Sequence, residues 1–399
     1  MKILILSDDF PPQSFGGAGF STFYLARGLQ KAGHQVFVIT TCREKANEGK
    51  TSYQGLEVHT IFADYHDRWR GYLSLYNPQT VGKVGRIIKE IRPDIIHANN
   101  IQSYLSYHCL KIAKKYGPVF FTARDTTSFN QGKLATEKYL ARFDCRVSQW
   151  DEFKQTKKRY NPLRNFFIKR YLSYVDQIFS VSRALKDALS QNGIKNVEVS
   201  YTGTDVNNWQ IAPEKVEEFK KKYGLSGKKI IFFGGRISTL KGSEQINLAI
   251  EIIKKEIPGA FLLAAGKGSI GWLSGDDLKA AYAAADVVVV PSIYFDPFPR
   301  SNLEAMACQK PVVATCYGGS PEIVQDNITG FIVNPLDEEL MAKKIIDLLK
   351  NSEKAKQFGE AGYERIKKHF NLESQIAQTI HWYQEAQSRK INDKRSVDQ

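Results

Sequence analysis

The sequence predicts an α/β protein built from two parallel-sheet domains, and three observations carry that prediction. Short apolar runs such as ILIL and VVVV alternate with longer amphipathic stretches along most of the chain. Glycines and acids gather just past the ends of these runs, where open parallel sheets bind their ligands. At 399 residues the chain exceeds a single core and fits two domains of about 200 residues each.

Composition narrows the class. A hydrophobic content of 42% and a charged content of 25% are those of an ordinary globular protein. No apolar run approaches the roughly 18–20 residues of a membrane span. The opening MKILILSDDF reads as a first strand and not as a secretion signal. Five cysteines without CxxC spacing read as reduced thiols of a cytoplasmic protein, with peripheral attachment to the inner face of the membrane as the further expectation. The net charge of +14 favours an anionic partner: nucleic acid, a membrane surface or an acidic substrate. Nucleic acid recedes because no nucleic-acid-binding motif accompanies the charge.

Residues 3–7 form the first strand, and a helix follows from about Gly19–Ser21 to Gly33. The loop between them, DDFPPQSFGGAG, delays its glycines too long for a dinucleotide-binding turn, and GAGFST lacks the third glycine. Gly16 and Gly17 suit either close backbone approach to a phosphate or sugar, or a plain turn. Strands follow at 36–40, 58–62, IIHAN and 119–125, with helices between, so the sheet is parallel with right-handed crossovers. His97 ends one of these strands and reads as structural. Arg124 and Asp125 follow the next; they either form a loop-stabilising pair or aim a charge at a phosphate or acidic acceptor.

Residues 153–174 interleave seven Lys/Arg with six aromatics. That density suits a membrane interface or an anionic acceptor. The alternative is a helix that packs Phe166, Phe167 and Tyr171 on the core beneath a solvated basic face. A polar crossing near 205–212 then separates the halves. KIIFFGGRISTLKG opens the second domain, with Gly234 and Gly235 ending its strand and Arg236 and Lys241 on the loop beyond. Two cations beside a glycine turn fit a diphosphate. Gly266 ends the next strand, and Trp272 reads as a core residue more readily than as a base-stacking one.

In DVVVVPSIYFDPFPRSNLEAMA (286–307) a buried strand runs into a loop and then a helix opening near Phe298–Arg300, with Pro299 in its first turn. Asp296 falls in the loop, and Glu304 falls eight positions later, about two turns into the helix. Carboxylates there accept hydrogen bonds from sugar hydroxyls, while the helix end offers N–H groups to an anion. Gly318-Gly319-Ser320-Pro321-Glu322 and Gly330-Phe331 repeat the strand–glycine–helix pattern.

These motifs resemble those of the retaining, family-4 type glycosyltransferases (glycosyl transferases group 1). The family's Glu-Pro-Phe-Gly and Glu-Ala-Met-Ala stand here as Asp-Pro-Phe-Pro and Glu-Ala-Met-Ala. Its His-Asp stands as Arg124-Asp125, and the segment after Gly268 is about 15–20 residues short by comparison. The resemblance implies a GT-B fold, two Rossmann-like domains facing across a cleft. Residues 1–205 would form the acceptor-side domain, 206–372 the donor-side domain, and 373–399 a helix crossing back plus a polar tail. It implies a retaining, metal-independent transferase that needs no cofactor beyond its nucleotide diphosphate sugar donor. The acceptor would be a glycan or lipid-linked molecule of cell-surface polysaccharide or glycolipid synthesis. Arg236 and Lys241 would neutralise the leaving diphosphate, Asp296 bind the sugar and Glu304 the ribose. Gly16, Gly17, Gly235, Gly266, Phe298, Pro299, Arg300 and Ser301 would complete the donor site, with Arg124 and Asp125 on the acceptor or phosphate side. A non-catalytic nucleotide-sugar binder docked on membranes and a GT-B sugar-nucleotide epimerase are the alternatives.

Overall fold

The computed structural model describes residues 1–13, 16–235, 237–265 and 270–397, and the chain divides into two compact units. The first comprises Met1–Leu134, Cys145–Thr202 and Leu372–Gln399; the second comprises Ala135–Asp144 and Gly203–Asn371. The segment Ala135–Asp144 thus lies within the first half of the sequence but belongs to the second unit, which no sequence pattern had marked.

The first unit holds eight strands: β1 Lys2–Leu6, β2 Gln35–Cys42, β3 Gly49–Tyr53, β4 Leu56–Phe62, β5 Ile95–Ala98, β6 Val119–Ala123, β7 Gln177–Ser180 and β8 Val197–Val199. Their order is β3-β4-β2-β1-β5-β6-β7-β8, and all neighbours are parallel except β3 with β4. Strand β3 was not expected, because GKTSY is polar, largely exposed and without apolar alternation. Such a strand is read as a loop until its partner is known. The strand order reverses between β1 and β5, a topological switch point.

Ile3, Ile5, Val36, Val38, Ile95, Phe120 and Phe179 form the core of this unit, with Phe23, Leu25 and Leu29 of the Gly17–Lys31 helix. The long Leu372–Val397 helix adds Ile376 and Tyr383 to it. The two helices pack closely at Gly28, where a Cβ would lie 2.5 Å from the Ile376 side-chain end. His97 is structural: its Nδ1 lies 2.5 Å from the Tyr383 hydroxyl and its Nε2 lies 2.7 Å from Thr122 Oγ1. Burial, with the Arg124 charge adding to it, pushes the imidazole down to about 3, so the ring is neutral.

The basic stretch departs from its core-packed reading. In the Arg164–Leu172 helix, Arg164, Ile168 and Leu172 are buried at intervals of one turn, while Phe166 is 67% exposed and Phe167 is also outward. Arg164 is accommodated inside by donating to the Thr127 carbonyl at 2.6 Å and to Asn165 at 3.2 Å.

The second unit carries a wholly parallel five-stranded sheet: β9 Lys229–Phe233, β10 Ala260–Ala264, β11 Val287–Val290, β12 Val312–Thr315 and β13 Gly330–Val333. Its order, β10-β9-β11-β12-β13, puts the switch point between β9 and β11. Ile231, Phe233, Val287, Val289, Val313 and Phe331 fill one face against Ile250, Met341 and Ile345. After β10 the chain passes to the helix Gly275–Ala284 with no further strand among the described residues. Trp272, expected in the core, is 69% exposed.

Candidate functional site

The site grows from the carboxyl ends of β9 and β11, the two strands at the switch point of the second unit. Gly234 ends β9 beside the start of the Arg300–Ala307 helix; a Cβ there would lie 2.9 Å from Ser301 Cβ and 3.0 Å from Val290 Cγ2. A short 3₁₀ turn, Thr239–Lys241, then closes on Gly242 at φ +81°. Only glycine fits at that position, because a Cβ would fall 2.0 Å from the Pro291 carbonyl oxygen at the end of β11. The Ile293 N–H also donates to the Leu240 carbonyl at 3.0 Å. The loop bearing Lys241 is thereby locked to the loop bearing Asp296.

Lys241 Nζ donates to Asp296 Oδ2 at 2.6 Å, and the Tyr294 hydroxyl donates to the same oxygen at 3.0 Å. The ammonium also lies 5.3 Å from the Tyr294 ring centroid. Asp296 is buried, and the Lys241 side chain is only 22% exposed. Burial alone would lower the Lys241 pKa. The Asp296 carboxylate and Tyr294 outweigh it and hold the ammonium above its usual range, so Lys241 is a permanent cation. Burial first, then the Asp296 charge, push the Tyr294 phenol upward, so it is a neutral donor.

Glu304 has its own two partners: the Tyr282 hydroxyl donates to Oε2 at 2.9 Å and Arg300 Nε to Oε1 at 3.1 Å. Tyr282 is buried edge-on against Phe232 at 4.8 Å and Trp209 at 5.4 Å, which fixes its hydroxyl on the carboxylate. The helix starts at Arg300, with Pro299 in the extended N-cap position. Glu304 therefore lies about one turn inside the helix, nearer its positive end than the expected two turns.

One switch point thus holds a lysine and two carboxylates that the sequence motifs marked, together with two tyrosines. The family described as Glycosyltransferase Family 4 matches residues 15–208, and Glycosyl transferases group 1 matches residues 269–365. The chain belongs to the family-4 type glycosyltransferases. This glycosyltransferase is 26% identical over 372 residues to an uncharacterized glycosyltransferase of Methanocaldococcus jannaschii, covering 86% of this chain and 87% of that protein. It superposes on the sucrose-phosphate synthase of Thermosynechococcus elongatus with a TM-score of 0.76 at 21% identity, covering 96% of this chain and 98% of the other. Against Anabaena HepE, solved in complex with UDP and glucose, the TM-score is 0.72 at 18% identity, with 96% and 100% covered. The fold is GT-B.

In the glycosyltransferase the closing glycine motif wraps the Asp296 loop. The Gly319 N–H donates to the Asp296 carbonyl at 2.8 Å, and Gly318, at φ +66°, leaves no room for a Cβ, which would lie 2.0 Å from that same oxygen. The segment Ala135–Asp144 braces the loop as well. The Tyr139 hydroxyl accepts from the Gly318 N–H at 2.8 Å, and its ring lies 5.5 Å from Phe295. Phe298 is buried, 5.6 Å from the Phe370 ring, so it packs the loop from beneath. Gly235, at φ +152°, sits beside the Lys241 side chain. Arg236 and Gly266 lie outside the described residues.

In the first unit Gly16 caps the Gly17–Lys31 helix with an ordinary φ of −85°, and Gly17 is its first residue. Arg124 donates to Asn99 Oδ1 through Nε at 3.1 Å and Nη2 at 3.0 Å, and to Thr202 Oγ1 at 3.2 Å. Asp125 caps a 3₁₀ turn through the Thr127 N–H at 2.9 Å and accepts from Gln102 at 2.9 Å. At this unit's own switch point stands Asp8, which the sequence reading passed over. Its carboxyl accepts N–H bonds from Ser103 at 2.7 Å, Tyr104 at 3.0 Å and Leu105 at 2.6 Å. Burial raises its pKa, the Leu105 N–H opposes, and the net result is about 7.

Tyr282 and Tyr294 are the functional candidates missed in the sequence. Tyr294 stands two residues before Asp296 and had a signal; Tyr282 lies in a different helix and had none.

Proposed function

We propose that this glycosyltransferase moves a sugar from a nucleoside diphosphate sugar to a glycan or lipid-linked acceptor with retention of anomeric configuration. The observation that carries this reading is the Lys241–Asp296–Tyr294 cluster at the β9/β11 switch point. Lys241 is a desolvated permanent cation already held against an oxyanion, and a diphosphate offers it the same chemistry. On donor binding Lys241 exchanges Asp296 for phosphate oxygens. The freed carboxylate, with Tyr294 still donating to it, accepts from sugar hydroxyls. Glu304, pinned by Tyr282 and Arg300, presents its remaining acceptor capacity to the ribose.

The leaving-group charge then rests on side-chain cations, Lys241 with Arg236, and no metal is required. As the glycosidic bond to the diphosphate breaks, the electron pair leaves on phosphate oxygen. The acceptor hydroxyl attacks the same face and passes its proton to that departing oxygen. HepE, solved with UDP, supports a uridine diphosphate sugar as the first donor to test.

The test is thermal unfolding against UDP, GDP, ADP and dTDP, for the wild type and Glu304→Ala. A ligand at 100 times its Kd adds about 2.7 kcal/mol of stability. One nucleoside diphosphate should raise the midpoint, and Glu304→Ala should lose the shift. Incubation of the matching sugar donor with acceptor should then give an α-linked product from an α-donor by NMR. An inverted product, or nucleotide binding with no transfer to any acceptor, would overturn the reading.

A further inference from the structure

We infer that the first unit carries a docking surface for an anionic lipid bilayer, built by residues 69–76 and 150–170 together. The apolar part consists of rings that face solvent. Phe166 is 67% and Trp150 61% exposed, and Trp69, Tyr72, Phe153 and Phe167 are exposed as well. Single exposed rings need no explanation, but a cluster of this size does. Trp150 stacks on Phe153 at 5.5 Å, and Phe166 meets Phe167 at 5.6 Å.

The two segments form one surface. Arg159 Nη1 pairs with Asp67 Oδ2 at 2.8 Å, and Asn161 Nδ2 donates to the Gly71 carbonyl at 2.9 Å. Gly71 allows this closeness, because a Cβ there would lie 2.3 Å from the Arg159 carbonyl oxygen. The Arg164–Leu172 helix is anchored from inside by Arg164, Ile168 and Leu172, so its rings are held outward by packing and not by chance of rotamer.

Cations accompany the rings. Lys154 lies 5.4 Å from the Trp150 centroid and Arg68 4.8 Å from that of Trp69. Lys157, Lys158, Lys169 and Arg170 follow in the same stretch. The acids nearby are already engaged: Asp67 with Arg159, Asp151 in a capping box with Ser148, and Glu152 buried. A protein partner is the poorer fit, since the cores of protein interfaces are depleted in lysine. Tryptophan, tyrosine and phenylalanine interleaved with lysine and arginine are the composition of a membrane interface, where rings enter the headgroup layer and cations meet anionic lipid.

The test is co-sedimentation of the full chain, without nucleotide, with vesicles of phosphatidylcholine alone or mixed with phosphatidylglycerol. Because no donor is present, the result does not depend on the transferase reading. Binding is expected only with phosphatidylglycerol and should weaken as salt rises. Lys157→Ala with Lys158→Ala should lower the affinity by roughly thirtyfold. Trp150→Ala with Phe166→Ala should also lower it, and both double variants should keep the wild-type unfolding midpoint. No binding to anionic vesicles, or equal binding by the variants, would overturn the inference. So would a concentration-dependent dimer in sedimentation velocity that Trp150→Ala with Phe166→Ala abolishes, which would assign the rings to a second copy of the chain.

Discussion

The two sheets treat their switch points in opposite ways. In the second unit the space past β9 and β11 holds charges that satisfy one another: Lys241 with Asp296, and Arg300 with Glu304. In the first unit Asp8 stands past β1, its carboxyl tied to three backbone N–H groups of residues 103–105. Arg124, which follows β6, is likewise hydrogen-bonded to the Asn99 and Thr202 side chains. An ion pair between side chains can be traded for a ligand's charges without breaking main-chain hydrogen bonds. A carboxyl bonded to main-chain amides cannot let go without unravelling the loop it holds. The same topology thus gives paired side-chain charges in one unit and a carboxyl bonded to the main chain in the other.

The comparison breaks most visibly at Lys241. Lys241→Ala should cut turnover by about 10²–10³, and it should also destabilise the second unit by about 3–5 kcal/mol, since Asp296 is left buried without its cation. Adding Asp296→Asn should restore much of the stability and none of the activity. Steady-state kinetics and chemical unfolding of the single and double variants would separate the two effects. If the single variant kept full stability, the pair would not be the buried element described above.

Asp8 sharpens the other side. Its carboxyl sits near 7 in the fold against 3.8 for the free side chain, so between about pH 4 and 7 the folded chain keeps a proton that the unfolded chain has released. Its share of stability is therefore full below that window and is lost as pH rises through 7, with a slope of at most about 1.4 kcal/mol per pH unit. Asp8→Asn should flatten this part of the stability–pH curve. An unchanged slope would remove Asp8 as its source. The smallest effect belongs to Tyr282→Phe, which deletes one hydrogen bond to Glu304. It should cost about 1 kcal/mol in unfolding free energy and weaken nucleotide binding severalfold.

Much of the second unit's framework was legible from local rules. Four valines make a buried strand, and glycines past strand ends mark places where a Cβ would collide, as Gly242 and Gly318 show. What stayed hidden depends on long-range meetings. Nothing in a spacing of 55 residues says that Lys241 and Asp296 share a hydrogen bond, and nothing marks Tyr282 as the donor to Glu304. The basic helix misled for a definite reason. Its inward stripe is set at one-turn intervals by Ile168 and Leu172, and that register carries Arg164 inside and turns Phe166 and Phe167 out. The largest apolar residues do not choose the face when smaller ones at the right period have already done so.

The helix Leu372–Val397 has a consequence for how the chain is made. Its Ile376 and Tyr383 belong to the core that begins with β1. Ribosomes add about 5–20 residues per second, so that core waits roughly 20–75 s after its first strand emerges before its final pieces exist. Most of the second unit, Gly203–Asn371, is synthesised before that moment. The core of the first unit is therefore complete only once Ile376 and Tyr383 have been made, after the whole of Gly203–Asn371.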